Sequence, residues 1–421
     1  LGNFIPLLLF LLVLAAVVRE GSLVTVLFLL AGVYFAGHWW SRRALNAVTF
    51  SRDFTPRAFP GETVRVRLEV ANGGLLPVPW LQLQDSTAPE LILTDAFRRV
   101  ITLGGHGRAQ FEYILRAHKR GYYNVGPLFL NSGDLIGLVG DLSRASAADH
   151  LTVYPRIIPL ARFSLPSRSP LGPLKHTQPL YEDPARTFGK RDYVGGDSLR
   201  RVDWKATAAV GRLQVKQFEP SIAVESALFL NLNSNEYDLR SRIDSSELAI
   251  VIAASIANWA VANKQTVGLF TNGLDPLAAR RGHSERSAAQ SKNDPAAPVD
   301  PNDELHPGRA GRLPPHKGRG HLIRLLEVLA RVQIGESIPF APMLIRESAR
   351  LSWGTTLVVI TSLLNDALFD ALFTAHRAGL NPMVITVVAD RNFREAQRRA
   401  HHFGIAAYQI TRERDLDIWR R

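Results

Sequence analysis

The sequence predicts a multi-domain protein: two transmembrane helices, a β-sandwich and an α/β parallel-sheet domain. Three observations carry this. The N-terminal segment holds two nearly unbroken apolar runs; residues 47–155 alternate apolar and polar side chains between Gly and Pro turns; and from about residue 224 strand-like and helix-like stretches take turns. A chain of 421 residues is long enough for separate domains, each with its own core.

The expected organisation is a transmembrane hairpin over 1–41, a β-sandwich over 47–155, a linker with a motif over 156–223 and the α/β domain over 224–421. In the hairpin, Leu1 to Val18 and Leu23 to Trp40 are apolar, separated by Arg19, Glu20, Gly21 and Ser22. Each run approaches the roughly 20 residues that cross a bilayer, where only a helix satisfies its own amides. Trp39 and Trp40 followed by Arg42 and Arg43 match an interfacial aromatic belt with positive charge behind it. A signal peptide is the rival for the first run, but it has no basic start and no small-residue cleavage site. A buried hairpin of a soluble domain is a second rival, set against by the lack of any polar face. The chain begins with Leu rather than Met, so a non-standard start or a preceding stretch is open. Arg42, Arg43, Arg52 and Arg57 outweigh Arg19 beside Glu20, so the positive-inside rule puts everything after residue 41 in the cytoplasm. No later run is expected to cross again.

Thr63 to Val70 alternates strictly between apolar and polar, a half-buried strand bounded by Pro60-Gly61 and Asn72-Gly73-Gly74. Trp80 to Leu83, Ala109 to Leu115, Tyr122 to Leu130 and Leu151 to Tyr154 read the same way, so a small sandwich follows. Residues 156–190, rich in Pro, Ser and Arg, read as linker. Beyond it, strands are expected at Ala227–Leu230, Thr266–Phe270, Thr356–Thr361, Pro382–Val388 and Ala407–Ile410. Helices are expected at Ser246–Ala262, Gly320–Val332, Ala367–Ala378 and Phe393–His402. That alternation predicts a parallel sheet covered on both faces. Residues 274–313 carry few large apolar residues and read as a disordered insertion.

Cysteine is absent, which excludes disulfides, thiolate catalysis and iron–sulfur clusters. The formal charge of +12 fits a lipid surface better than nucleic acid, because no aromatic residues interleave with the basic ones. Walker A, Gly-x-Ser-x-Gly and His-Glu-x-x-His patterns are missing.

The densest motif is Arg191-Asp192-Tyr193-Val194-Gly195-Gly196-Asp197-Ser198-Leu199-Arg200-Arg201-Val202-Asp203-Trp204-Lys205. Physically, Asp197 is expected to cap a short helix, Arg200 and Asp203 to form an ionic ladder, and Trp204 to be a buried anchor. Two roles stand open. One is a structural plug closing the α/β domain; the other is a partner-recognition surface built on Arg191, Tyr193, Gly196, Asp197, Arg200, Asp203, Trp204 and Lys205. A hydrolase using Asp197, Asp203 and His176 is the enzymatic alternative, although their spacing makes no acid/base pair.

This motif resembles the signature of the bacterial "domain of unknown function fifty-eight" family. His118-Lys119-Arg120-Gly121-Tyr122, Gly126-Pro127, Asp134 to Leu138, Val153 to Arg156 and Gly320-His321-Leu322 extend the resemblance. It implies a Rossmann-like, von Willebrand factor type A-like α/β domain, behind a sandwich and a transmembrane hairpin. It further implies a non-enzymatic membrane-anchored adaptor working with a MoxR-type AAA+ ATPase. Domains of that type often hold a metal through Asp-x-Ser-x-Ser, a Thr and a later Asp. Here those places are taken by Asn231, Asn233 and Asn235, by His321 and by Ser362. With no carboxylate among them, neither metal nor cofactor is expected, since neutral oxygens hold divalent ions weakly in water.

Overall fold

The computed structural model describes residues 21–91, 97–133, 142–165, 182–220, 225–277, 312–362, 364–390 and 392–420, with isolated positions before residue 21. It divides into two compact units, Leu1–Arg156 with Leu329–Arg331, and Ile157–Val328 with Val332–Arg421.

The first unit opens with helix α1, Gly21–Asn46. Its stretch Val24–Asn46 is long and apolar enough to cross a membrane and is only 11% buried. Phe28, Phe35 and Trp39 are all exposed. Of the first apolar run, only Pro6, Leu9, Phe10, Leu12, Val13, Leu14 and Val17 are described, all of them helical. Helix α1 runs past residue 41, where the sequence reading ended the anchor, and its last turn places Ala44 and Leu45 in a buried cluster with Val48, Val70, Leu81 and Leu128.

Among the described residues nine strands follow: β1 Val48–Asp53, β2 Arg57–Ala58, β3 Thr63–Asn72, β4 Val78–Thr87, β5 Arg98–Leu103, β6 Arg108–Arg116, β7 Gly121–Ser132, β8 Leu142–Ala145 and β9 Asp149–Val153. One sheet has the order β1-β3-β6; the other runs β2-β9-β7-β4-β5 with β8 on β7. The alternation in β3 buries Val64, Val66, Leu68 and Val70, and side chains from both sheets mix in the same clusters. Arg52 on β1 pairs with Asp85 on β4 at 2.7 Å, both side chains almost fully buried, and with Asp149 on β9 at 2.6 Å. Tyr113 on β6 donates to Asp85, and burial followed by the Asp85 charge pushes its phenol well above the ordinary range. This cross-link lies in four strands from both sheets and is invisible to periodicity.

In the second unit, strand β10, Glu182–Asp192, pairs antiparallel with β11, Gln214–Pro220, around a short helix α2, Trp204–Val210. The sequence reading had a linker with the motif there and no strands, because the two strands lack the apolar alternation of a packed sheet. The central sheet contains β12 Glu225–Leu230, β13 Thr266–Thr271, β14 Leu313–His316, β15 Thr356–Thr361, β16 Asn381–Thr386 and β17 Ala406–Gln409. Its order is β14-β13-β12-β15-β16-β17, parallel throughout except for the antiparallel edge strand β14.

Helix α3, Arg242–Ala262, starts before the expected Ser246. It too is long and apolar enough to cross a membrane, but it is 72% buried against the sheet, so it is a core helix. Then come α4 Arg319–Arg331, α5 Phe340–Ser348, α6 Asp366–Arg377, α7 Phe393–His402 and α8 Asp417–Arg420. Helix α5 was not anticipated; Phe340, Met343 and Leu344 sink into the core beside Phe229 and Val359. Of the expected 274–313 insertion, residues 278–311 lie outside the described residues. Its flanks are built in: Leu274 exchanges two backbone bonds with Gln333, and Leu313 opens the edge strand.

Candidate functional site

The β10–β11 arm organises the motif. Tyr193 N–H donates to Leu213 O at 2.9 Å, after which the chain turns through Gly196, whose φ of 110° suits glycine. The Arg191 guanidinium then grips Asp197 with two bonds of 2.7 Å, and Val194 N–H adds a third at 3.0 Å. Asp197 therefore closes the turn and is not a helix cap, contrary to the sequence expectation. Capping falls to Asp203, which accepts from Lys205 N–H and Ala206 N–H at 3.2 Å each and pairs with Lys190 Nζ at 2.9 Å. The expected Arg200–Asp203 ladder is absent among the described residues, because Lys190 on the neighbouring strand has taken Asp203. Helix α2 ends on Gly211 in the left-handed conformation.

Both carboxylates are held below the usual range, Asp197 chiefly by the Arg191 hydrogen bond and then by Val194, Asp203 chiefly by Lys190 and then by Ala206. Groups held ionised in this way suit turn closure better than proton donation. His176, the third member of the hydrolase alternative, lies outside the described residues.

Trp204 overturns its expected role as a buried anchor. It is 65% exposed, since its backbone starts α2 while Asp203 faces the strands. Val194, Leu199, Val210 and Leu213 are also exposed, among exposed Arg200, Arg201, Lys205 and Arg212. Tyr193 is half-buried, and Val202 is the buried apolar residue of the motif, bridging Val215. The arm thus pairs Asp197 with Arg191 and Asp203 with Lys190, and leaves Trp204, Leu199 and Val194 exposed along with Arg200, Arg201 and Lys205.

A second polar cluster sits where the parallel strands end. Asn231, Asn272 and Ser362 directly follow β12 and β13 and the last residue of β15. Asn231 is fully buried. Its amide donates to Glu236 at 2.8 Å and to Thr361 Oγ1 at 3.0 Å, and its oxygen accepts from Asn233 N–H at 3.1 Å and Asn272 Nδ2 at 3.2 Å. Asn233 Nδ2 donates to Glu236 at 3.3 Å, and Phe340 N–H at 2.9 Å. Ser362 Oγ donates to the Glu236 carbonyl and Tyr237 to the Asn231 carbonyl. Burial, with Glu236 adding, pushes the Tyr237 phenol above its ordinary range. Asn235 is exposed and joins only through its backbone amide.

One rim residue was missed by the sequence reading, and one expectation fails. The rim does contain a carboxylate, Glu236, which the template of alternating positions skipped; an acidic residue so close to an Asn at a strand end was the available signal. And His321 is not at this rim. Its Nε2 meets Val267 O at 2.8 Å, and Val267 pairs with Ser226 at the opposite end of the strands. Burial lowers the basicity of that imidazole. A cation would need the lone pairs of Asn231 and Asn233, which already accept backbone N–H groups, and the Glu236 oxygens, which already accept three N–H donors. As arranged, the set does not fit a divalent ion. Among the described residues no group of three or more His, Asp or Glu side chains could hold one elsewhere.

A family profile described as "Protein of unknown function DUF58" matches residues 189–306. The uncharacterised protein YeaD of Bacillus subtilis strain 168 is 25% identical over 195 residues, which is 46% of this chain and 44% of the relative. The match thus spans less than half the length of that curated relative. Among solved structures, the CARDB domain of the PF1109 protein of Pyrococcus furiosus gives a TM-score of 0.20 at 15% identity, covering 25% of this chain and 86% of that one. The sporulation control protein Spo0M of Bacillus subtilis gives 0.17 at 17% identity, covering 25% and 49%. The profile match takes in the motif and Asn231, and together with the Bacillus relative it supports identification with the DUF58 family.

Proposed function

We propose that this chain is a membrane-anchored, non-enzymatic adaptor that presents its motif arm to a protein partner. In this reading α1 is a membrane helix of a bacterial inner membrane, the β unit is a sandwich-like spacer, and both units stand in the cytoplasm. One observation carries the reading: the arm pairs its carboxylates Asp197 and Asp203 internally and leaves Trp204, Leu199 and Val194 exposed, together with the exposed Arg200, Arg201 and Lys205. A Trp with flanking Arg is the composition of an interface hot spot. The partner implied by the family resemblance is a MoxR-type AAA+ ATPase.

The test is binding of the purified full-length chain, in detergent or nanodiscs, to a purified MoxR-type ATPase from the same genome. Saturable binding that Trp204→Ala weakens by about 30-fold is the expected outcome. Binding unaffected by both Trp204→Ala and Arg200→Glu would remove the arm from the interface. A reporter active only in the periplasm, fused after Arg421, should be silent.

A further inference from the structure

Beyond the arm, a second exposed apolar feature sits on the β unit itself. Leu75 is 81% exposed at the tip of the β3–β4 turn. An exposed Leu alone is ordinary, but this one is held out by an unusually complete brace. Asn72 Nδ2 donates to Leu76 O at 2.9 Å and to Gly104 O at 3.0 Å, while Gly74 N–H returns to Asn72 Oδ1 at 3.0 Å. His106 N–H donates to Gly74 O at 3.0 Å. Gly105 packs so closely that a Cβ there would lie 2.3 Å from Leu75 O. The turn cannot fold back to hide its tip.

The same turn is bonded to the end of α1. Gly73 N–H donates to Ala47 O at 2.9 Å, and Trp40 Nε1 donates to Pro77 O at 3.0 Å. Residues 40 and 47 are about 10 Å apart along a helical rise of 1.5 Å per residue. Leu75, midway along the turn, therefore lies beside α1 within about one to two helical turns of Trp40. The register agrees: Val48 pairs with Asn72 and Ala71 with Arg108, so the β3–β4 and β5–β6 turns leave from the end of the sheet where α1 enters. At that level the helix carries exposed Trp39, Trp40, Arg42 and Arg43. Aromatic rings and cations in that order mark the headgroup zone of a bilayer.

We infer that the β3–β4 turn is a second membrane contact, with Leu75 inserted at the lipid interface beside α1. This rests on the reading of α1 as a membrane helix. The occupant is lipid and not another protein, because the turn that carries the apolar tip is bonded alongside the aromatic end of α1, where Trp39 and Trp40 are exposed.

The native chain has no cysteine, so single-cysteine labels are unique. Leu75→Cys, Phe35→Cys on α1 and His118→Cys, each in the full-length chain, would carry a polarity-sensitive fluorophore. His118 follows the far end of β6, a strand of 9 residues that spans about 30 Å. The proteins would be reconstituted in phosphatidylethanolamine/phosphatidylglycerol vesicles with or without a lipid-borne nitroxide near the headgroups. The expected result is at least about twofold quenching at positions 35 and 75, with none at 118. Quenching at 35 but not at 75 overturns the inference and leaves the anchor intact. No quenching at either means the anchor reading itself fails. A blue-shifted label at 75 that the lipid probe does not quench points to protein cover and overturns the lipid assignment. Quenching at all three positions means adsorption without a defined contact, which also overturns it.

Discussion

The strand-end rim and the motif arm are both rich in polar residues, yet they treat water in opposite ways. At the rim, Asn231, Asn233, Asn272 and Ser362 turn inward, and Glu236 accepts from two side-chain amides and one backbone amide. On the arm, the ion pairs Arg191–Asp197 and Lys190–Asp203 sit among the strands and the apolar residues are pushed out. The rim completes itself. The arm pairs its carboxylates Asp197 and Asp203 but leaves an apolar surface and several basic side chains exposed, which is the condition a partner can relieve. A polar cluster is therefore a weaker indicator of a working surface than an apolar group that the fold has room to bury and does not.

The largest expected effect lies at the rim. Asn231→Leu leaves several buried groups without partners, so the α/β unit should lose about 3 kcal/mol. Its thermal transition should fall by roughly 6–10 °C. A fall under about 2 °C would mean that the network is loosely coupled to the fold. Trp204→Ala on the arm should do the reverse, leaving stability within about 0.5 kcal/mol while weakening partner binding by about 30-fold, as loss of a hot-spot Trp does. If the melting temperature fell instead, the motif would be a plug and the contrast would collapse.

A smaller effect follows from acid. Because the Asp197 pKa is lowered on folding, its contribution is fully present above the unfolded value near 4 and disappears as pH falls through the folded value. The arm should thus loosen only below about pH 4. The amide resonance of Val194, which donates to Asp197, should move in that window and stay flat in Asp197→Asn. The smallest expected effect is none. Millimolar magnesium, calcium or manganese should leave the melting temperature unchanged, whereas a bound ion at a hundredfold excess over Kd would add about 2.7 kcal/mol. A stabilisation lost in Asn231→Ala would show that the amides yield to a cation after all.

These elements were legible from a period or a run: β3 alternates, Leu357–Ile360 is an unbroken apolar run inside a fully buried strand, and Phe393–His402 is bounded as expected. The arm was not legible, since its strands are specified by pairing with each other and not by burial. Trp204 was misread for a related reason. A large apolar side chain is assigned to a core by default, and only the capture of Asp203 by Lys190 shows that this helix turns its first residue outward. Glu236 escaped because a fixed ligand spacing was sought, while the fold brings the acid back through a turn of 3-10 helix over Ser234–Glu236. Helix α5 was hidden by Pro339 and Pro342, which break the apolar pattern at its start.

Ala44 and Leu45 belong at once to the last turn of α1 and to the interior of the β unit. A recombinant fragment cut at residue 47 to remove the greasy helix would therefore take two plugs out of the wall it was meant to spare. Losing the Leu45 side chain alone forfeits about 1.5–3 kcal/mol of burial, and the opening would expose Val48, Leu81 and Leu128. Such a fragment should bind hydrophobic dyes and aggregate, whereas one beginning at Ser41 keeps the closing turn and should stay monodisperse.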